Sequence, residues 1–466
     1  MMRRLSFGAA LALAGCVGWS GGAEWPEAHR LVLLGPDGVA VARVVTTDAH
    51  CPPIVLDGRA RPMSVRMPPQ TIPQRPTRSD PSRSKPSAFP VLTCEAALPA
   101  GTTSAGIGGK ALPLPRADPQ RIVVIGDTGC RINMSDNAFQ DCDDPAYWPF
   151  ERIATLAAAT RPDLVIHVGD YHYRENACPA TAPGCAGSPW GYGWDAWRAD
   201  FFHPARALLA AAPWIVLRGN HESCDRAGQG WWRFLDPRPV AAGQDCNAAV
   251  DDAIGDFSDP YAVPISAGAQ FLVFDSSRVG VTPLPPTDPM YRNYHAQLQQ
   301  AFALGARTAH AYFLSHHPVL AFAANPGNPH APFPGNAGLQ SVLADLYPGL
   351  LFPPGVRALF SGHNHVLEML NFSSPHPPQI VSGNGGDWAD DPFPEPFPAG
   401  LAPAPGAVVA ELVASNRFGF LVLERSGSGW LLQASDVHGN RLTTCTLGDR
   451  QMSCAPIDRP WARPRP

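Results

Sequence analysis

From Pro115 onward the chain alternates short unbroken apolar runs with longer stretches of helical period. Arg121–Ile125, Leu164–Val168, Trp214–Leu217, Phe271–Phe274 and Ala311–Leu314 are too short for helices and show no polar alternation. That pattern predicts strands covered on both faces. Tyr147–Ala159, Asp195–Ala211 and Tyr291–Leu304 predict the intervening helices, and Ile380-Val381, Phe420–Leu423 and Trp430–Leu432 predict later strands. Strands alternating with helices give a layered α/β architecture. Before Pro115 the pattern is different: Arg30–Leu34 and Val39–Val45 are β-like runs between turn residues, with no helical period. Within that region, residues 59–90 hold eight prolines and seven basic residues against a single acid, Asp80. This composition predicts a solvated loop, because proline removes backbone donors and charge resists burial. The expected divisions are a β-rich, proline-rich region over 24–115, an α/β domain over 116–440 and a tail over 441–466.

Composition narrows the function classes. With 466 residues and a hydrophobic fraction of 45% the chain can build a large core, and its 53 prolines and 43 glycines imply long connections. A formal charge of −5 supplies no global field for nucleic acid or an anionic membrane, and the basic run lacks the interleaved aromatics of a nucleic-acid tail. Arg3 and Arg4 precede an apolar run, Leu5–Gly15, which has the layout of a secretory signal over 1–15 and is too short for a permanent span. Leu13-Ala14-Gly15-Cys16 resembles a bacterial lipobox, so export to the periplasm or cell envelope with a lipid anchor at Cys16 is expected. Cleavage after Ala23 is the alternative. Either route leaves ten of the eleven cysteines, with no Cys-x2-Cys pair to suggest zinc. Disulfides between nearest neighbours are expected: Cys51–Cys94, Cys130–Cys142, Cys178–Cys185, Cys224–Cys246 and Cys445–Cys454.

The candidate chemistry follows the strands. Gly126-Asp127-Thr128-Gly129, Gly169-Asp170-Tyr171-His172-Tyr173, Gly219-Asn220-His221-Glu222, Ser315-His316-His317-Pro318 and Ser361-Gly362-His363-Asn364-His365 each come at the carboxyl end of an apolar run. Open α/β sheets bind ligands at that edge. Any one of these clusters is explained by a turn or a structural histidine. An ordered series of Asp, Asp, Asn, His and His-x-His is not.

The series resembles the calcineurin-like metallophosphoesterase superfamily over about residues 121–388, and in its variant signature it is similar to purple acid phosphatases. Most members of the superfamily begin with Asp-x-His, where this chain has Gly129. Purple acid phosphatases instead use Gly-Asp-x-Gly and then Gly-Asp-x-x-Tyr, which this chain matches with Tyr173. The resemblance implies a four-layer α/β β/α sandwich and two metal ions bridged by Asp170. It assigns Asp127, Tyr173 and His365 to one ion, and Asn220, His316 and His363 to the other. Hard carboxylate and phenolate oxygens suit Fe(III), and imidazole with an amide oxygen suits a divalent Zn, Fe or Mn. Two ions about 3.5–4 Å apart can clamp a phosphoryl group and acidify a water.

By the same resemblance His221 binds phosphate or protonates the leaving oxygen, with orientation of a neighbour as the plainer role. His316 is preferred over His317 because the family ligand lies two residues before a proline. His330 is a candidate second substrate contact or a surface histidine. Arg131 could grip phosphate or lie on the surface, and the aromatics Trp190, Tyr192, Trp194 and Trp197 could form a pocket rim or the core of an insertion. Asn384-Gly385-Gly386-Asp387-Trp388 resembles a glycine-rich turn closing the fold near the metals. The expected reaction is hydrolysis of phosphomonoesters, on a small-molecule or polymer phosphoester and not on nucleic acid. The alternatives are a phosphodiesterase of the same fold and a surface binding protein that has lost the chemistry.

Overall fold

The computed structural model describes residues 28–457, and no helix among them is long and apolar enough to cross a membrane. The expected export signal, Cys16 and Ala23 lie outside the described residues. Two large sheets form the body. An eleven-stranded sheet has at its centre the parallel strands Arg121–Ile125, Leu164–His167, Trp214–Val216 and His29–Leu34. A seven-stranded sheet has at its centre Ala269–Phe274, His310–Ser315, Val356–Ser361 and Gln379–Ser382, also parallel. Side chains alternate across each strand. Ile122 and Val124 point into the core between the sheets, which also holds Phe271, Tyr312 and Phe360, whereas Val123 and Ile125 point the other way, against Phe150–Ala159. On the far face of the second sheet, Leu272 and Phe313 pack against Pro289–Gly305 and Ala337–Leu346. The result is the expected helix–sheet–sheet–helix sandwich, and burial on both faces is why the central strands have unbroken apolar sequences.

Both ends of the chain add strands to the first sheet. His29–Leu34, Ala40–Thr46, Leu92–Leu98 and Ser64–Met67 extend one edge, while Arg441–Gly448 and Gln451–Cys454 complete the other. The expected disulfides all form, and Cys445 and Cys454 face each other across the last two strands.

Two expectations need correction. Residues 59–90 are not simply a solvated loop, since they contain the short strands Arg59–Arg61, Ser64–Met67, Gln70–Ile72 and Ser87–Phe89, and Ile72 and Phe89 are buried in the helix-side core. Two of their basic side chains find close partners in the body. Arg66 donates to Glu95 at 2.9 Å and to the Trp232 carbonyl, and Arg75 pairs with Asp252. The helix expected over Asp195–Ala211 is broken. A turn at Trp194–Trp197 continues as a wide π-helical turn over Arg198–Phe202, and a new helix begins only at Arg206. Pro204, which has no amide hydrogen, stands at the break.

Candidate active site

Asp127, Asp170 and Asn220 follow strands of the large sheet, and His316, His363 and His365 follow strands of the smaller one, so the two sheets bring their loops to one end of the sandwich. The backbone there is under constraint. Asp127, Asp170 and His363 all adopt left-handed conformations (φ 56°, 57° and 70°), which residues with a Cβ occupy uncommonly. The motif glycines permit the close approach: a Cβ on Gly219 would lie 2.1 Å from Asp170 Oδ1, and one on Gly362 would lie 2.3 Å from Asp127 Oδ2.

The predicted ligand side chains converge as two overlapping groups. His316 Nε2 lies 3.1 Å from both Asp170 Oδ2 and Asn220 Oδ1, and His363 Nδ1 lies 3.0 Å from the same amide oxygen. Asp170, His316 and His363 form a cluster able to hold a metal ion. On the other side of Asp170, the Tyr173 hydroxyl is 2.9 Å from Asp170 Oδ2, 3.2 Å from Asp127 Oδ1 and 3.1 Å from His365 Nε2. Donor chemistry fits a cation at this centre. His316 Nδ1 is 2.8 Å from the Val168 carbonyl and His365 Nδ1 is 2.8 Å from that of Trp388, so each ring keeps its proton on Nδ1. The Nε2 lone pairs then face carboxylate and amide oxygens, and several acceptors aimed at one another are what a bound cation satisfies.

Electrostatics describes the same centre without metal. Burial lowers the basicity of His316 and His365, but the facing carboxylates outweigh it: Asp170 lifts His316 to about 9, and Asp387 with Asp127 lifts His365 to about 10. Burial raises the Asp127 carboxyl to about 6, while His316 and His221 hold Asp170 well below the usual carboxylate range. Burial and the two aspartates push the Tyr173 phenol well up. Protons on the histidines thus balance carboxylates that a metal would otherwise neutralise.

Residues 120–367, just over half of the chain, match the family described as Calcineurin-like phosphoesterase. The chain belongs to that family. The phosphoesterase is also similar in fold to the purple acid phosphatase PPD1 from yellow lupin (Lupinus luteus) seeds, with 15% identity over 88% of this chain and 72% of that one and a TM-score of 0.51. A structure described as PhoD gives 12% identity over 94% of each chain, with a TM-score of 0.53. No curated protein sequence matches significantly.

Around the ligand cluster, the phosphoesterase has a second ring of residues to which the sequence assigned no role. Glu222 accepts from the backbone amides of Asp170, Tyr171, His172 and Gly219, so it holds the Asp170 loop against the Asn220 loop. Asp200 accepts from the amides of Cys130, Tyr173 and Arg174 and from the Arg174 guanidinium at 2.6 Å. Asp387, in the Asn384–Trp388 turn, is fully buried; it takes two hydrogen bonds from Arg131 on one oxygen and lies 3.3 Å from His365. Arg131 is therefore partly buried and committed to Asp387, rather than free for phosphate. His317 is buried beside His363, ring centroids 4.2 Å apart, and pairs with Ser276 as an ordinary neighbour.

His221 sits at the edge of the cluster. Its Nδ1 is 2.8 Å from Glu175 Oε1, its ring lies 3.9 Å from the Tyr173 ring, and its Nε2 is 4.0 Å from Asp170. Glu175 also pairs with Arg226, and Arg226 with the His221 hydrogen bond outweighs its burial to hold it ionised. His221, His363 and His365 line a cavity of about 580 Å³. His330 is exposed and is not on the cavity wall. Neither are the four aromatics: Tyr192, Trp194 and Trp197 are buried in the helix-side core, and Trp190 lies under Lys85.

Proposed function

We propose that this phosphoesterase hydrolyses phosphomonoesters with two metal ions, in the manner of purple acid phosphatases. The observation that supports the reading is that Asp170 Oδ2 lies 3.1 Å from His316 Nε2 and 2.9 Å from the Tyr173 hydroxyl, so one carboxylate touches both groups of candidate ligands. Asn220, His316 and His363 would hold a divalent ion of the Zn, Fe or Mn type, and Asp127, Tyr173 and His365 would hold Fe(III). Bound there, the pair supplies an acidified water and a clamp on the phosphoryl oxygens. The protein's own residues do the rest. Asp170 and Asn220 are fixed by the Glu222 network, so the ligand geometry is set before substrate arrives. His221, held at Nδ1 by Glu175 and touched at both ring nitrogens by Arg226, would have to take up a second proton on Nε2, against the burial and the Arg226 charge that lower its basicity, in order to donate to the oxygen that leaves as the phosphorus–oxygen bond breaks. Five disulfides accord with export to an oxidising compartment such as the periplasm, the setting proposed for this chain together with an anchor at Cys16.

Metal analysis of purified protein tests the reading together with hydrolysis of nitrophenyl mono- and diesters. Two equivalents of metal, a monoester preference, and loss of both activity and metal in Asp170→Asn are expected. A visible absorption band that vanishes in Tyr173→Phe is the signature of iron on the phenolate. A metal-free protein unaffected by Asp170→Asn refutes the enzyme, whereas a strong diester preference replaces the substrate class.

A further inference from the structure

The cavity over the ligand cluster is far larger than a phosphate ion needs, and it lies within the range of pockets that enclose whole small molecules. Part of its wall comes from outside the α/β body. Arg78, Ser79, Asp80 and Arg83, from the proline-rich N-terminal segment, line it together with Asp170, Asn220 and His221. Sequence composition made that segment look like a solvated loop, yet it is held over the site at several points. Asn176, one residue past Glu175, donates to Ser79 Oγ at 2.9 Å and to the Arg83 carbonyl at 3.1 Å. The Arg78 amide donates to the Asp225 carbonyl at 2.9 Å, just beyond the Asn220 motif. Asp80 caps the turn Pro81–Arg83 by accepting from the Ser82 amide at 2.8 Å.

The charges on this wall differ in how far they are satisfied. Arg131 is held by Asp387 and Arg226 by Glu175. Among the acids, Asp80 accepts from Ser82 and keeps its charge near Arg83 without a direct ion pair, Asp136 lies 3.5 Å from Arg131, and Asp390 accepts the His365 amide. Arg78 has only a loose contact with Asp225 at 3.6 Å, on a carboxylate already shared with Arg278 at 3.2 Å, and its side chain is 65% exposed. Arg83 is exposed and has no ion-pair partner among the described residues. Two guanidiniums with free donors therefore face a cavity whose floor is built to bind a phosphoryl group, and a guanidinium fork matches phosphate oxygens in geometry and charge.

We propose that Arg78 and Arg83 bind a second phosphoryl group on the substrate, so that the preferred substrates are small phosphomonoesters carrying two phosphates. This rests on the hydrolase reading above. The test compares fructose 1-phosphate with fructose 1,6-bisphosphate, by kcat/KM on the metal-loaded protein and by calorimetric binding to the same protein. A preference of about tenfold or more for the bisphosphate is expected in both measurements, weakening with added salt. The Arg78→Ala/Arg83→Ala variant should lose that preference while keeping its activity on the monophosphate, and Arg78→Lys/Arg83→Lys should retain part of it. Equal handling of the two sugars by the wild type overturns the proposal, as does an equal loss on both in the alanine variant. Arginine-dependent binding of the bisphosphate without hydrolysis of either sugar upholds the phosphate wall and refutes the phosphomonoesterase reading. Hydrolysis without preference does the reverse.

Discussion

Gly129 and Tyr173 occupy one space. A Cβ on Gly129 would lie 2.9 Å from both the Tyr173 ring carbon Cδ2 and the Tyr173 amide nitrogen, and 2.8 Å from the Tyr171 carbonyl. A side chain at 129 and a phenol reaching Asp127 and Asp170 are therefore alternatives, which gives a physical reason for the missing histidine and the added tyrosine to occur together. Gly129→Ala should destabilise the fold by about 1–3 kcal/mol through overpacking. In a Tyr173→Ala background the ring contact is gone and only the backbone contacts remain, so the cost should fall. Denaturant unfolding of the four proteins measures the coupling, and strict additivity would show that the two positions do not compete.

Glu175 and His221 form the next testable pair, joined at 2.8 Å with Arg226 on the same carboxylate oxygen. Glu175→Gln keeps the shape but removes the charge that orients the imidazole. The expected result is a fall in kcat of about tenfold or more with metal content retained, together with a loss of stability because the buried Arg226 loses its charged partner, so kcat is compared at a temperature where both proteins are folded. A variant with wild-type kcat would place His221 outside proton transfer.

Asp127, Asp170, Asn220 and His363 were legible because each follows a glycine at a strand end, and His316 because it directly follows a strand, positions that sequence order alone reveals. Glu175, Asp200 and Asp387 were not legible, for different reasons. Glu175 falls two residues past a motif, and only the return of the Asn220 loop brings His221 to it. Asp200 sits in a segment with the pattern of an ordinary helix, and its role depends on the π-helical turn that points it at Tyr173 and Arg174. Asp387 lies in a turn that backbone packing already explained, with its amide bonded to the Asp127 carbonyl. The basic segment misled for a related reason. Composition records that seven charges are present, but not that Glu95, Asp252 and backbone carbonyls wait to receive some of them.

Asp200 gives a stability prediction. Its carboxylate is fully buried and takes three amides and a guanidinium, and Arg174 is 4% exposed. Asp200→Ala leaves that arginine charged, buried and unpaired, which costs about 3–5 kcal/mol. Asp200→Asn retains one acceptor and should cost less. Chemical denaturation ranks the two, and since the same carboxylate holds the Tyr173 amide, metal content should fall in step with stability. Equal stability in all three proteins would remove Asp200 from the support of the site.

Glu368 sets a pH dependence separate from the metal ligands. It is fully buried on the strand Leu367–Phe372, where burial raises its carboxyl to about 8, assisted by Asp390 and opposed by the Phe322 amide and Asn364. Below about pH 4.5 the group is protonated in both folded and unfolded chains and contributes no pH dependence. Between about 4.5 and 8 the unfolded chain ionises while the folded one keeps its proton. Stability is therefore lost as pH rises through that window, by up to ~1.4 kcal/mol per pH unit from this group, and the loss ends once the folded group also ionises. Glu368→Gln removes the titration, so its stability relative to wild type should climb steadily from pH 5 to pH 8 in denaturant unfolding. A difference that stays flat across those pH values would mean that Glu368 ionises in the folded protein as readily as it does in water.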